Sequence, residues 1–425
     1  MLTSKNRRMG KSSIALLAVG SLISAVALLS GASAADAASA KKVTITFWTA
    51  YSTGEVPTIE KTLIPAFQKA NPGIIVKHVA FSHDDLYTKL LTSAMTHTLP
   101  DVVRTDVAWV PTFAQGGVFQ KLDGGMASFN TLAAQVFPGS LSTNFYRGHY
   151  YGLPLDTNTR VMFANMDAFA KAGITTLPKT FADMLADAPL LKAKGIYLYA
   201  DGGTGGWNVL PWIWSAGGSI TNKTYTTSKG YINGPKSVSA VQFLADLYKQ
   251  GAIPDSMLGA AGVMGGFDGV PKGNYAMTLD GPWMNPIWAS VYPAFKPVQA
   301  LVPAGAGGSI SVVGGEDINV VAQSKHKAAA QKFMAFMLSK STQVTMTKVG
   351  QLSVRKDLRD EVTAIQPYYS TFLKQLDTAK ARTPVSNYPK IDSIIGTQVA
   401  LAIKGTESAQ QAMNEAAAQI DPLLH

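Results

Sequence analysis

Aromatic residues stand close to carboxylates or amides at several places along this 425-residue chain. The groups are Trp48 with Glu55, Asp106 with Trp109, Asp156 with Asn158, the set Trp207, Trp212 and Trp214, and Trp283 with Trp288. An indole can cover the apolar C–H face of a pyranose, and carboxylates accept charge-assisted hydrogen bonds from its hydroxyl groups. The pattern is therefore typical of a carbohydrate site. Taken singly, each tryptophan is more often a core residue, and Asp106 could equally cap a helix.

The motifs of the common catalytic and cofactor sites are missing from the sequence. It has no P-loop, no G-x-S-x-G nucleophile motif and no G-x-G-x-x-G that opens a helix. The six histidines are scattered and there is no cysteine, so we expect no metal site, no disulfide and no cofactor. A carboxylate pair for glycoside hydrolysis stays open, because such a pair meets in space and not in sequence.

The first residues are typical of a secretory signal peptide. A basic, polar stretch at 1–13 precedes a 16-residue apolar run at 14–29, and small residues follow around Ala34. We expect residues 1–34 to be removed, with Ala37 and Ala40 as rival cleavage positions. A protein exported in this way would lie in the periplasm or at the extracellular face of the cytoplasmic membrane, with no lipid anchor on a cysteine.

The positive charge of the chain belongs partly to this leader. The formal net charge is +10, but without residues 1–34 the chain has 33 lysines and arginines against 27 acids. No dense basic block remains, so we expect no nucleic-acid partner.

Strands alternate with helices along the rest of the chain. Val43, Ile45 and Phe47 alternate with threonines and predict a strand, and a helix follows over 59–67 in which Pro65 should introduce a kink. Further strands are predicted at 74–79, 102–103, 160–163 and 318–321, and further helices at 86–91, 181–191, 237–248, 325–338 and 408–420. This order is typical of an α/β protein with a parallel sheet, and we expect two α/β lobes joined by short crossovers.

Short segments from Phe47 onward follow one another in an order found in a known family. They lie at 47–49, 64–67, 71–74, 99–103, 105–109, 151–160, 165–167, 275–277, 280–283, 314–316, 324–329 and 388–389. Through them the chain resembles the extracellular solute-binding proteins (family 1) of sugar ABC transporters, in particular the maltose- and trehalose/maltose-binding proteins.

The resemblance implies a two-lobed, periplasmic-binding-protein-like (type II) fold with a ligand cleft between the lobes. It implies an N-lobe at 41–155 with a return at 296–345, and a C-lobe at 156–295 with C-terminal helices at 346–425. It also implies a monomeric receptor that is not an enzyme. Such a receptor captures a disaccharide or oligosaccharide and delivers it to the permease subunits of an ABC importer.

The resemblance also assigns ligand-binding positions one by one. The expected set is Trp48, Glu55, Asp106, Trp109, Asp156, Asn158, Trp207, Trp283, Gly315, Glu316 and Arg355. Two positions depart from the close trehalose/maltose binders. Asn158 stands where they tend to have aspartate, and Glu316 stands where they tend to have tryptophan. Replacing a ring with an acid removes a stacking surface and adds a hydroxyl acceptor, so the identity of the sugar stays open.

Two other classes of function remain to be weighed. One is a secreted carbohydrate-active enzyme, which turnover of an oligosaccharide would reveal. The other is a receptor for a non-sugar solute such as a polyamine, a phosphorylated polyol or a metal chelate. An anionic solute would call for arginines and lysines at the strand ends, where this sequence has acids and amides.

Overall fold

The first strand shows how the alternating sequence pattern begins the fold. In the computed structural model, which describes residues 42–52, 54–259 and 268–424, β1 (Val43–Thr49) buries Ile45, Phe47 and Thr49 on one face. The predicted strand is therefore confirmed. The predicted signal peptide lies outside the described residues, and from Val43 onward the chain forms one compact unit.

The other elements follow in the alternating order that the sequence predicts. The strands are β2 (Ile74–Ala80), β3 (Val102–Asp106), β4 (Phe145–Tyr146), β5 (His149–Tyr150), β6 (Leu153–Thr159), β7 (Val161–Ala164), β8 (Tyr197–Tyr199), β9 (Tyr275–Asp280), β10 (Val298–Ala300) and β11 (Val313–Val320). The α-helices are Val56–Thr58, Ile64–Ala70, His83–Thr96, Val110–Gln115, Phe129–Ala133, Pro138–Ser142, Met166–Lys171, Phe181–Lys192, Gly206–Ser215, Pro235–Lys249, Met284–Val291, Lys327–Met337, Lys340–Thr347, Arg359–Ile365, Tyr369–Leu376, Tyr388–Lys404 and Ala409–Ile420. Short 3₁₀ turns lie at Asp255–Leu258, Lys356–Leu358 and Asp421–Leu423.

The helix that contains Pro65 changes its hydrogen-bond spacing instead of ending. A π-helical stretch, Ile59–Leu63, comes directly before Ile64–Ala70, in which Pro65 occupies the first turn. Proline has no N–H to donate and its ring crowds the preceding turn, so a wider turn just before it accommodates the ring.

Two sheets form the centres of two lobes. The first sheet has the order β2-β1-β3-β11-β6 and the second has the order β10-β7-β9-β8. The purely parallel sheet predicted from the sequence is wrong. β1 runs parallel to β2 and β3, but β11 runs antiparallel to both β3 and β6, and β7 runs antiparallel to β9 and β10. Both sheets therefore contain parallel and antiparallel pairs. The antiparallel strand is in each case one that the chain enters from the other lobe: β11 in the first sheet and β7 in the second.

The first crossing between the lobes is short, and the return is longer. Only Arg160 separates β6, in the first sheet, from β7, in the second. The return runs from β10, in the second sheet, to β11, in the first. The two-lobed α/β fold is thus confirmed, while the residue boundaries of the lobes stay a prediction.

Each lobe has its own apolar core. Beneath the first sheet the ring of Phe333 contacts those of Phe47 and Phe67, each with the centroids 5.1 Å apart. Trp212 and Leu247 belong to the core of the second lobe. In the part of the chain that the structure describes, no helix combines the length and the hydropathy that a membrane crossing requires.

Candidate functional site

The strand ends gather the polar residues at one edge of the first sheet. β1 and β3 are parallel, so the loop after β1, which carries Glu55, and Asp106, the last residue of β3, reach the same edge. β11 is antiparallel to β3, so its first residues, including Glu316, lie at that edge as well. Ligands of open α/β sheets collect at such carboxyl edges.

A cavity of about 440 Å³ opens at this edge, and we call it the cleft. Seven of the predicted site residues line it: Glu55, Asp106, Asn158, Trp207, Trp283, Gly315 and Glu316. The remaining lining residues are Ala50, Ser52, His83, Arg104, Ile287, Gly314, Gln351, Arg382 and Asp392. The structure therefore brings most of the predicted set together, from segments up to 261 residues apart in the sequence.

Two indole rings form an aromatic wall of the cleft. The rings of Trp207 and Trp283 are stacked at an interplanar angle of 27°, with centroids 6.3 Å apart. Each ring rests on a glycine. A Cβ at Gly281 would lie 2.1 Å from the ring of Trp283, and a Cβ at Gly314 would lie 2.6 Å from the ring of Trp207. Both positions must stay without a side chain for the rings to lie where they do.

Behind Trp207, a buried arginine fixes the start of the helix that carries it. Arg160 is 1% exposed and donates to Asp201 Oδ1 at 2.6 Å and to the carbonyl oxygen of Trp207 at 3.2 Å. Asn208 also donates to Asp201 Oδ1, at 2.6 Å. These bonds hold the backbone at Trp207 in place, so its ring enters the cleft already oriented.

Three carboxylates stand in a row across adjacent strands. In the strand register Glu316 on β11 pairs with Asp106 on β3 and with Asp156 on β6. A β-bulge follows Glu316, and Gly315 has φ +120°, a conformation that favours glycine. The bulge interrupts the alternation of the strand at the point where the Glu316 side chain meets the cleft.

Arg104 compensates the charge of two of these carboxylates. Its side chain is 3% exposed, and its Nη2 lies 3.0 Å from Asp156 Oδ2 and 2.8 Å from Glu316 Oε2. The guanidinium also lies 4.2 Å from the centroid of the Tyr51 ring. Burial alone would lower the pKa of Arg104, but the two carboxylates outweigh it and keep the pKa above its ordinary value.

One arginine cannot fully neutralise both the buried Asp156 and the partly exposed Glu316. Burial raises the pKa of Glu316 well above its ordinary value, and Asp156 adds to that rise while Arg104 opposes it. Glu316 therefore holds its proton more tightly than an exposed glutamate. A protonated carboxyl can donate a hydrogen bond as well as accept one.

Asp106 has the opposite environment. Arg382 Nη2 lies 2.6 Å from Asp106 Oδ1, and His83 Nε2 lies 3.5 Å from Oδ2. The backbone N–H of Ala108 donates to Oδ1 at 2.7 Å. Burial would raise the pKa of Asp106, but Arg382 and His83 outweigh it and hold the pKa well below its usual range. Asp106 is therefore a permanent anion and acceptor.

Glu55 differs from both Glu316 and Asp106, because hydrogen bonds and not a directly bonded arginine hold its carboxyl group. It is 5% exposed and accepts from the backbone N–H of Ser52 at 2.7 Å and from the side-chain amide of Gln351. Burial raises its pKa, and the nearby charge of Arg104 partly offsets that rise.

Four predicted residues do not line the cleft. Asp156 lies beneath it, 4% exposed and bonded to Arg104. Trp48 packs edge-on against Phe81 at 5.3 Å, and Trp109 lies in the core of the first lobe, 6% exposed.

Arg355 is the fourth, and its partners explain its position. It forms a two-pronged pair with Asp357, with both N–O distances at 2.9 Å, and it also donates to Gln135. Arg355 therefore does not line the cleft, and its predicted role in ligand binding stays a prediction.

Sequence reasoning missed the basic half of the site. Arg104 carries a signal in retrospect, because a charged residue inside an apolar strand, two positions before Asp106, must find a buried partner. Arg382 and His83 carry none, since nothing in the sequence shows that they meet Asp106. Gln351 and Asp392 likewise lie in helical or loop segments with no local motif.

The lining carries both donors and acceptors for hydroxyl groups. It offers permanent and protonatable carboxyls, guanidinium and amide donors, and an aromatic wall. Among the described residues no group of histidines and acids could hold a metal ion.

The chain has two α/β lobes, and a cleft lined by aromatic and carboxylate side chains opens at the edge of the first sheet. This arrangement is typical of a bilobal binding protein. The sequence profile of the bacterial extracellular solute-binding proteins matches residues 51–344. The chain belongs to that family, so the resemblance noted from its short segments is confirmed.

Relatives and solved structures agree with this assignment. A protein of Brucella abortus (strain 2308) named as a binding protein is 27% identical over 419 residues, which cover 95% of this chain and 97% of the relative. The GacH receptor of Streptomyces glaucescens superposes with a TM-score of 0.79 at 25% identity, covering 90% of this chain and 98% of that one. An ABC transporter solute-binding protein of Thermotoga lettingae gives 0.81 at 25% identity, covering 90% and 100%.

Proposed function

We propose that this protein is an extracytoplasmic receptor that captures a disaccharide or oligosaccharide and delivers it to the permease of an ABC importer. The observation that carries the proposal is the meeting of the Trp207–Trp283 wall with the carboxylate row in one cleft. The aromatic rings can cover the C–H groups of a pyranose, and the charged acceptors can bind its hydroxyl groups. Few other small solutes need both.

The charges of the cleft favour a neutral solute over an anion. Its arginines, Arg104 and Arg382, are already paired with carboxylates. Glu55 and Asp392 line the same cavity, and neither forms an ion pair with a described lysine, arginine or histidine. A phosphate or carboxylate ligand would meet acids here, whereas sugar hydroxyls would meet acceptors.

The relatives support a carbohydrate ligand. The S. glaucescens receptor was solved with acarbose and the T. lettingae protein with α-D-tagatose. A Streptococcus mutans relative, 24% identical over 376 residues that cover 81% of this chain and 84% of the relative, is named a multiple sugar-binding protein. In this proposal the protein acts as an exported monomer without catalytic activity, and the acids bind hydroxyl groups instead of cleaving glycosidic bonds.

A thermal-shift screen of the purified protein against mono-, di- and oligosaccharides tests the proposal. A ligand at a hundredfold excess over Kd raises the free energy of unfolding by roughly 2.7 kcal/mol, so hits are visible. Phosphorylated polyols and polyamines serve as comparison sets. Stabilisation by one of those sets and by no sugar would contradict the proposal.

Prolonged incubation separates the receptor from an enzyme. Any oligosaccharide hit is kept with the protein for a day and then separated by chromatography. Recovery of the unchanged sugar is the expected result, and steady release of shorter products would show a hydrolase instead.

A further inference from the structure

Three acidic side chains of the first lobe surround one arginine beside the cleft. Arg104 forms ion pairs with Asp156 and Glu316, and its charge also acts on Glu55, which lines the same cavity. When all four groups are ionised, three carboxylates and one guanidinium leave a net charge of −2. The excess of acid that disfavours an anionic solute therefore favours a positively charged group on the ligand.

Glu316 lies close to Arg104 but is not hydrogen-bonded to it. Its Oε2 lies 2.8 Å from Nη2 of Arg104, whereas Nε and Nη2 of that arginine both donate to Asp156 Oδ2, at 3.2 and 3.0 Å. Oε2 of Glu316 is buried and has no hydrogen-bond partner among the described residues. A buried acceptor without a donor costs free energy, and the Glu316 side chain lines the cleft. A ligand in the cleft can supply the missing donor.

The other charged residues of the cleft do not supply the missing positive charge. Arg382 is bonded to Asp106 at 2.6 Å, and His83 lies 3.5 Å from the second oxygen of that carboxylate. Asp392 is a further acid in the lining, and its Oδ1 accepts from the Tyr388 hydroxyl at 3.2 Å. Both arginines that line the cleft are thus already bonded to acids.

Protons can take up part of the negative charge. Burial raises the pKa of Glu316 well above its ordinary value, and it raises the pKa of Glu55 more than the charge of Arg104 lowers it. A proton neutralises one carboxylate and supplies one donor, whereas an ammonium group carries a full positive charge and three donors. An ammonium group that enters the cluster can therefore displace a proton and bond to more than one carboxylate.

From these observations we propose that the receptor selects sugars that carry an ammonium group, and that this group binds to Glu316 and Glu55. The inference rests on the carbohydrate function proposed above and narrows it to amino sugars. Trp207 and Trp283 cover the C–H face of the sugar, and the two glutamates bind the ammonium group where a neutral sugar has a hydroxyl group. Glu316 is then a residue that determines specificity.

Sugars that differ in a single substituent test the inference. Calorimetry measures Kd for glucosamine, galactosamine and the β-1,4-linked disaccharide of glucosamine, each beside its hydroxyl and N-acetyl counterparts. The proteins compared are the wild type, Glu316→Gln and Glu55→Gln. The matched control is Glu60→Gln, which makes the same change at a side chain that is 49% exposed and does not line the cleft.

In the wild type the amine should bind about 10- to 100-fold more tightly than its hydroxyl counterpart, the size of one hydrogen bond between charged groups. The N-acetyl counterpart has no charge and should not share this gain. Glu316→Gln and Glu55→Gln should each reduce the preference for the amine by at least about fivefold, because an amide carries no charge to pair with it. Glu60→Gln should keep the preference.

The pH dependence of binding is a second readout. Burial raises the pKa of both glutamates, so more of their carboxyls are ionised at pH 7 than at pH 5, while an aliphatic amine keeps its proton over this range. The affinity for the amine should therefore rise from pH 5 to pH 7, and that for the hydroxyl counterpart should not. The other titratable groups that act on the two glutamates are Arg104, Asp106, Asp156 and Tyr51.

Two results would overturn the inference while leaving the receptor function intact. One is a neutral sugar that binds at least as tightly as every amine tested. The other is a full preference for the amine in both Glu316→Gln and Glu55→Gln, which would place the ammonium group elsewhere. If no sugar binds, whether neutral or charged, or if only polyamines bind, the proposed function fails together with the inference.

Discussion

Removing the indole of Trp283 is the sharpest test of the cleft. The ring packs against Gly281, its centroid lies 6.3 Å from that of the Trp207 ring, and it is only partly buried. In Trp283→Ala the carboxylate row and the arginine pairs stay in place, while half of the aromatic wall is lost. Affinity and stability should therefore respond differently.

The expected loss of affinity follows from the area that the ring leaves free. A large aromatic side chain can bury about 150–250 Å². With one face already packed on Gly281, roughly 60–100 Å² remains for a ligand, which at about 25 cal/mol per Å² corresponds to about 1.5–2.5 kcal/mol. The Kd should then rise by about 10- to 70-fold.

Trp48→Ala provides the matched control. Trp48 is also a partly buried tryptophan, but it packs on Phe81 outside the cleft. Both variants should lose about 1–2 kcal/mol of unfolding free energy, since each loses part of a packed ring. Calorimetric titration with the sugar found by thermal shift should show weakened binding for Trp283→Ala only. Wild-type affinity in Trp283→Ala, or equal weakening in both variants, would refute the assignment of this ring to the site.

Three further perturbations have definite expected outcomes. Gly281→Ala keeps every ring but pushes the neighbouring indole away from a Cβ at 2.1 Å, so Kd should rise by at least about fivefold, as for a lost aromatic contact; unchanged titrations would show that the ring is not held there. Arg104→Ala leaves the 4%-exposed carboxylate of Asp156 without its cation and should cost about 3–5 kcal/mol in urea unfolding, whereas a loss below about 1 kcal/mol would mean that water reaches it. Burial raises the pKa of Asp280 from 3.8 to about 6, so the folded state binds the extra proton between these values and stability should fall as pH rises through 6. The melting temperature of the unliganded protein should thus be higher at pH 5 than at pH 7.5, with a smaller difference in Asp280→Asn; a higher melting temperature at pH 7.5 would contradict this.

The sequence predicts the elements of the fold well and their directions less well. Alternation at Val43–Thr49 and helical spacing are local properties, so they survive folding unchanged. The antiparallel course of β11 depends on which lobe the chain comes from, and no local pattern records that. The mixed sheets could therefore not be read from alternation of strands and helices alone.

For the site, acids at strand ends were predictable and their partners were not. Asp106 ends a short apolar strand, and the topology carries it to the cleft. Its partner Arg382 is 276 residues away in sequence, and only the tertiary structure brings the two together. Trp48, Trp109 and Trp283 all stand near a carboxylate in the sequence, so only their packing shows that the first two lie outside the cleft.

Because of where its tryptophans lie, the protein has an intrinsic fluorescence signal for ligand binding. Of the seven in the chain, Trp207 and Trp283 line the cleft, while Trp48, Trp109, Trp212, Trp214 and Trp288 are packed away from it. A solute that displaces water from the two cleft indoles changes their emission, and the other five give a constant background. Intrinsic fluorescence can therefore follow capture and release in real time, without a dye or a label.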